Sequence, residues 1–204
     1  MLRDELPLHP QVCLQPFEKW AIDFVGPIHL LGKKTSTHYI ITTMGYLTRW
    51  AEEKSVKDCT GDMTTMFLYG YVLTRFGCSK VLVSDKAMHF LNEMISALTE
   101  EFQVYHQKST PYHRQENRTI EAFNKILENA LMKICNVQWN EWNVHVPAIL
   151  WAYKTTCKKM IGKTPFKLVD GVEAVIPMEY IVPRLCIKSF MNMEDLEPLE
   201  EWIA

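Results

Sequence analysis

The chain has no Cys-x-x-Cys pair, no zinc-ligand spacing among its cysteines and histidines, and no apolar run long enough to cross a bilayer. Each absence removes a class of function. Its six cysteines, at 13, 59, 78, 135, 157 and 186, are scattered, and its seven histidines show no partner spacing that would build a tetrahedral site. Reduced and mostly buried thiols are therefore expected. The longest apolar stretches, such as Val146 to Tyr153, fall far short of a membrane span of roughly 20 residues. Met1-Leu-Arg-Asp-Glu5 lacks the apolar core of a signal peptide, so a soluble, intracellular protein with no membrane partner is expected. Internal repeats and low-complexity tracts are missing too. A basic excess is also lacking, since the net charge is −2. Residues 189–204 hold Glu194, Asp195, Glu197, Glu200 and Glu201 without Lys or Arg, which leaves the remainder at +3. A weakly basic body with an acidic tail is compatible with DNA but does not demand it.

What is present suits one sizeable core, with 204 residues and 48% hydrophobic content. Trp20 to Gly26 reads as a strand ended by Gly26-Pro27, Tyr39 to Met44 as a second and Trp50 to Val56 as a third, an antiparallel meander. Asp62 to Phe76 reads as a helix with Thr60 as N-cap and Gly77 at the C′ position. Val81 to Asp85 is a short continuous apolar strand, which suits a central, doubly covered place. Helical spacing returns over Phe90 to Phe102, and Gln103 to Gln107 reads as a last short strand. From Glu116 onward Ile120, Phe123, Leu127, Leu131 and Ile134 repeat at helical spacing, and Trp139 to Thr156 gives another helix with Pro147 as a kink or boundary. Strands first, then strands alternating with helices, describe a mixed sheet with helices packed on it.

Three acids stand out against this pattern. Asp23 lies inside the apolar run Trp20-Ala-Ile-Asp-Phe-Val-Gly26, Asp85 closes Val81-Leu-Val-Ser-Asp85, and Glu121 opens the long amphipathic helix with 35 residues between it and Asp85. A carboxylate in an apolar strand loses hydration and needs compensation, which a divalent cation supplies. Mg²⁺ takes hard oxygen ligands, and a two-ion phosphoryl-transfer site needs about three acids from separate elements. Taken singly, Asp23 is more often a strand-end or edge acid and Glu121 a solvated helix residue. Asp85 has the better start, because ligands of α/β sheets gather at strand carboxyl ends.

At these residues the chain resembles the catalytic core of retroviral and retrotransposon integrases, most closely those of plant gypsy-type long-terminal-repeat elements. The segments that carry the resemblance are Phe17-Glu-Lys-Trp-Ala-Ile-Asp-Phe-Val-Gly-Pro27, Tyr46-Leu-Thr-Arg-Trp-Ala-Glu52, Arg75-Phe-Gly77, Ser109-Thr-Pro-Tyr-His113, Trp151-Ala-Tyr-Lys-Thr-Thr156 and Thr164-Pro-Phe-Lys-Leu-Val169. The resemblance implies an α/β, ribonuclease H-like fold with a five-stranded mixed sheet and helices on both faces. It divides the chain into a linker remnant at 1–16, a catalytic core at 17–180 and an acidic tail at 181–204. It further implies a nuclear polynucleotidyl transferase that processes DNA 3′ ends and joins them to target DNA as a homodimer or larger assembly. Asp23, Asp85 and Glu121 would be the catalytic residues and the ligands of two Mg²⁺ ions, with Mn²⁺ as a substitute. Gln115, Asn117, Asn124 and Lys125 would contact DNA; Asn124 and Lys125 follow Glu121 at i+3 and i+4, which places them on its face.

Two segments depart from the family. After the second aspartate the family has a polar residue and Gly, where this chain reads Lys86-Ala87, and if that glycine takes φ > 0 then Ala87 costs on the order of 1 kcal/mol or forces another turn. Before the glutamate the family's Pro-Gln-Ala-Asn-Gly-Gln is replaced by Arg114-Gln-Glu-Asn-Arg-Thr119, and Arg118 is spaced to pair with Glu121 in competition with a metal. The zinc-binding domain that precedes the family's core is absent, so the chain reads as a fragment. The departures fit an alternative, a catalytically impaired nucleic-acid or chromatin-binding module. A plain ribonuclease H-like nuclease is the remaining rival. His89 and His113 flank the site as hydrogen-bonding residues, and Lys154, Lys158, Lys159, Lys163 and Lys167 form either a DNA-lining stretch or an ordinary solvated face.

Overall fold

Alternation of side chains along the strands sorts the core into two layers, one on each side of a single sheet. The structure is a computed structural model that describes residues 15–28, 36–109, 117–135, 142–159 and 161–175. The acidic tail, nearly all of the 1–16 segment, Gln115 and His113 lie outside the described residues.

Strands β1 (Lys19–Val25), β2 (Tyr39–Gly45) and β3 (Ala51–Val56) form the expected antiparallel meander. A helical crossover follows in which α1 (Gly61–Phe67) passes through a π-helical turn at Leu68–Leu73 into α2 (Thr74–Phe76). Thr60 caps its start by accepting from the Met63 N–H at 3.3 Å, and Gly77 closes it at φ 81°. The crossover returns the chain to β4 (Val81–Ser84), parallel to β1. A short 3₁₀ turn, Met88–Phe90, leads to α3 (Glu93–Glu101), capped by Asn92, and then to β5 (Tyr105–Lys108), parallel to β4. The sheet order is β3-β2-β1-β4-β5. Helices α4 (Arg118–Cys135), α5 (Trp142–Lys154) and α6 (Pro165–Asp170) complete the described fold.

Ala21, Val25, Ile40, Met44 and Ala51 point to one face and pack under α4 and α5 through Ile120, Phe123, Leu127, Trp142, Val146 and Ile149. Trp20, Ile22, Ile41, Trp50, Val56 and Leu82 point to the other face, against Phe67, Val72, Phe90 and Ile95. β4 is buried on both sides, as its continuous apolar run implies, with Leu82 and Val83 at 3% and 0% exposure.

Four expectations change. The helix expected over Phe90–Phe102 starts only at Glu93, because Asn92 spends its side chain as an N-cap on the Ile95 N–H at 3.0 Å. The last strand begins two residues later than expected, after a turn in which Gln103 takes φ 54°. Of the two readings of Pro147, kink or boundary, the boundary is overturned, since it sits inside α5 without ending it. Of the four described cysteines, all free, only Cys135 is buried, so the mostly buried thiols expected from composition are not found.

Candidate active site

Strand periodicity aims Asp23 at the α4 layer. It shares a face of β1 with Ala21 and Val25, both buried under α4, and its cross-strand neighbour on β2 is Thr42. The parallel ladder pairs Trp20 with Leu82 and Ala21 with Val83, and the same register continued two residues brings Asp85 opposite Asp23. Asp85 is the first residue beyond the end of β4, where the ladder stops. Glu121 arrives from the other direction, in the first turn of α4, with its N–H bonded to the Asn117 carbonyl at 3.1 Å.

Hydrogen bonds hold each aspartate differently. Asp23 Oδ1 accepts from the Phe24 N–H at 2.8 Å, and Oδ2 accepts from Asn124 Nδ2 at 2.9 Å. The other end of that amide, Asn124 Oδ1, accepts from Thr42 Oγ1 at 2.8 Å. A relay thus runs from strand β2 through helix α4 to the carboxylate. Asp85 Oδ1 accepts from the Ala87 N–H at 3.0 Å, an Asx-type turn. Glu121 is exposed.

Asp23 shows the electrostatic cost of the arrangement. Burial pushes its carboxyl up to about 6; the Phe24 N–H pulls the other way, the Asp85 and Glu121 carboxylates push it up further, and the Asn124 amide draws it down. The two distant acids therefore act on Asp23 through space. The structure brings all three to the same end of the sheet. Among the described residues, however, no three His, Cys, Asp or Glu side chains approach closely enough to ligate one ion.

Other expected site residues fall as follows. Asn124 was placed with Lys125 on the face of Glu121. Lys125 is exposed, but Asn124 is 7% exposed, because it follows Ile120 by four and so joins the buried stripe of α4. Its amide is taken at both ends by Asp23 and Thr42, so its work here is to orient a carboxylate. Asn117 is 5% exposed, and its Oδ1 has no hydrogen-bond partner among the described residues. Arg118 and Glu121 are both exposed, and no ion pair joins them. Ala87 takes φ −66° and ψ 147°, an extended conformation open to any residue, so the strain expected at this glycine-to-alanine departure does not arise. The His89 ring stands edge-on to Phe24 at 4.7 Å and to Phe90 at 4.3 Å; burial lowers its pKa and Asp85 raises it.

The lysine stretch is not one surface. Lys154 is 8% exposed and paired with Glu52 Oε1 at 3.1 Å, and Lys158 Nζ is buried 3.4 Å from the Tyr153 ring centre. Lys167 pairs with Glu173 at 3.1 Å. These lysines face three different environments because α5 ends at Lys154 and the chain turns before α6.

Sequence reading missed Thr42 and Glu53. The signal was there: the register sets Asp23 beside Thr42 and Thr42 beside Glu53, a row of polar residues across three strands, with α4 over the first two and α5 over β3.

The mixed five-stranded sheet with helices packed on it is a ribonuclease H-like fold, the fold of integrase catalytic cores. The HTLV-2 integrase catalytic core domain, solved in complex with magnesium as a trimeric form, superposes with a TM-score of 0.59 at 16% identity over 76% of this chain and 97% of that one. A chain of the simian T-cell lymphotropic virus intasome, solved with the PP2A regulatory subunit B56 gamma, gives a TM-score of 0.69 at 16% identity over 83% of this chain and 59% of that one. In sequence, the chain is similar to stretches of retroviral and transposon Pol polyproteins. It is 19% identical over 183 residues to the retrovirus-related Pol polyprotein from transposon 412 of Drosophila melanogaster, covering 90% of this chain. It is 25% identical over 174 residues to the Pro-Pol polyprotein of feline foamy virus, covering 84% of this chain. The chain spans 14% and 15% of the lengths of these two curated relatives. No protein-family model matches it.

Proposed function

We propose that this chain is the catalytic core of an integrase of the gypsy-type long-terminal-repeat retrotransposon kind, which trims DNA 3′ ends and joins them to target DNA in the nucleus. The observation that carries the reading is Asp23: a carboxylate held near 6 by burial and by Asp85 and Glu121, at one end of a sheet with this fold. A charge placed at such cost calls for a cation.

The donor set fits magnesium. All three groups are carboxylates, hard oxygen donors with surplus negative charge and lone pairs left over after the bonds described above. Asp23, Asp85 and Glu121 are the residues that would hold two Mg²⁺ ions, or Mn²⁺ in their place, which supply charge stabilisation for in-line displacement at phosphorus. Asn124 fixes the Asp23 carboxylate toward that end of the sheet, and Thr42 fixes Asn124. The Ala87 N–H does the same for Asp85. Lys125, exposed one turn beyond Glu121, would meet a DNA phosphate, and the family resemblance gives Asn117 and Gln115 the same role. The working unit is a homodimer or larger.

A second reading is favoured by one observation, the lack of a three-ligand cluster among the described residues. In it the chain is a DNA- or chromatin-binding module that has kept the fold and lost the chemistry. A Mg²⁺-dependent strand-transfer or disintegration assay separates the two. Product from the wild type that disappears with Asp85→Asn and with Glu121→Gln is the expected result. DNA binding with equal, background levels of product from all three proteins would favour the module.

A further inference from the structure

Asp85 stands one residue past the last ladder pair of β4 and β5, Ser84 with Lys108, so no strand hydrogen bonding sets its backbone. A side chain does so instead. Ser84, fully buried at 0% exposure, places its Oγ 2.8 Å from the Asp85 carbonyl and 2.8 Å from His106 Nε2. A serine hydroxyl has one proton. Given to the Asp85 carbonyl, it leaves Oγ as an acceptor for His106, whose Nε2 must then carry the proton. Burial and the nearby Lys108 lower the His106 pKa, which favours the neutral ring; with either charge state the geometry calls for the proton on Nε2. No other role for a half-buried histidine on an edge strand is visible among its described contacts.

We propose that His106 is a positioning residue for Asp85: its Nε2–H donates to Ser84 Oγ, which turns the Ser84 hydroxyl onto the Asp85 carbonyl and thereby sets where the Asp85 carboxylate points. The Ala87 N–H, donating to Asp85 Oδ1, holds the same residue from the other side. Backbone and carboxylate are thus fixed by separate bonds. The importance of this for metal binding rests on the reading of Asp85 as a ligand; the orientation itself does not. Outer bonds of this kind typically change metal affinity by roughly ten-fold or more when removed.

The test uses the whole chain and two readouts. Nitrogen-15 NMR of the His106 ring should show the Nε2–H tautomer. The Ala87 amide resonance and the Asp85 side-chain carboxyl resonance should shift together in His106→Phe and in Ser84→Ala, while His106→Gln, which keeps an N–H, should restore both. Mn²⁺ affinity, measured on the same proteins by electron paramagnetic resonance, should fall about ten-fold in His106→Phe and Ser84→Ala, and no further in the double variant. If His106→Phe does not fold, Ser84→Ala carries the test alone. An Nδ1–H tautomer, or unmoved Ala87 and Asp85 resonances in a folded variant, overturns the proposal. Wild-type Mn²⁺ affinity in Asp85→Asn would instead overturn the metal-ligand reading, and the resonances would still decide the role of His106.

Discussion

Asp23 owes its position to a single strand alternation. Ala21 and Val25 are apolar and buried, so the residue between them must also face α4, and a carboxylate there loses water whatever its purpose. The sequence made that much readable. It did not make Asn124 readable as the partner, because helical spacing alone cannot tell the edge of a buried stripe from its interior; the 7% exposure of Asn124 comes from how α4 rotates over β1 and β2. Replacing Asn124 by Leu removes a donor from a half-buried carboxylate and leaves the Thr42 hydroxyl only its longer bond, to the Asp23 carbonyl at 3.3 Å. The Asp23 midpoint should rise above about 6, and stability at pH 7 should fall by roughly 1–2 kcal/mol, read by urea denaturation. The pH dependence follows from the direction of the shift. An acid whose folded pKa is raised binds more protons in the native state, so its penalty is absent below the unfolded value of 3.8 and is complete above about 6. Stability should therefore decline through that window, by about 2 kcal/mol allowing for the solvent that still reaches the group, and Asp23→Asn should flatten the decline. Ala87 makes the contrasting case. At φ −66° it gains nothing from glycine, so Ala87→Gly should lower the melting temperature slightly, through the extra freedom of the unfolded chain, and should not raise activity.

At the scale of elements, strand β3 is an edge strand fastened by charge. Glu52 Oε1, on a side chain only 4% exposed, accepts from Trp50 Nε1 at 2.7 Å, Arg75 Nη1 at 2.9 Å and Lys154 Nζ at 3.1 Å. Arg75 comes from α2 and Lys154 from the last turn of α5, so one carboxylate ties the two helical layers together around the sheet edge. Lys154 also lies 4.1 Å from the Trp50 ring centre, and burial favours its neutral form while Glu52 holds the charge. Glu52→Gln leaves that ammonium buried without its counter-charge and should destabilise the fold by about 3 kcal/mol, seen as a lower midpoint in thermal circular dichroism. Next to it, burial and Glu52 raise the Glu53 carboxyl to about 7 against a pull from Lys154. Its penalty grows from 4.5 to about 7, a window that overlaps that of Asp23 and extends beyond it, so Glu53→Gln should flatten mainly the upper part of the pH decline. The order of strands and helices was legible throughout, since periods of 2 and 3.6 differ sharply in these segments. Their ends were less so. The π-helical turn at Leu68–Leu73 depends on backbone bonds that no residue pattern announces, whereas the delayed start of α3 had a signal in Asn92, an N-cap residue type.

For the whole molecule, the sheet acts as a frame that delivers acids from β1, from the end of β4 and from α4 to one end. Three like charges gathered there oppose folding and favour a cation, which links metal binding to stability through the same groups. The separation of Lys154, Lys158 and Lys167 into different environments leaves no single lysine stripe among the described residues, so DNA binding by the isolated chain should be weak. Fluorescence anisotropy should show it falling only gently between low and moderate salt, the shallow slope that few phosphate contacts give. The site's metal-dependent reading turns on the charge of Asp23. Its carboxyl resonance, followed by carbon-13 NMR against pH, should titrate with a midpoint near 6 in metal-free solution and move down by a unit or more in millimolar Mg²⁺. An Asp23 midpoint that is the same with and without Mg²⁺ would contradict the account.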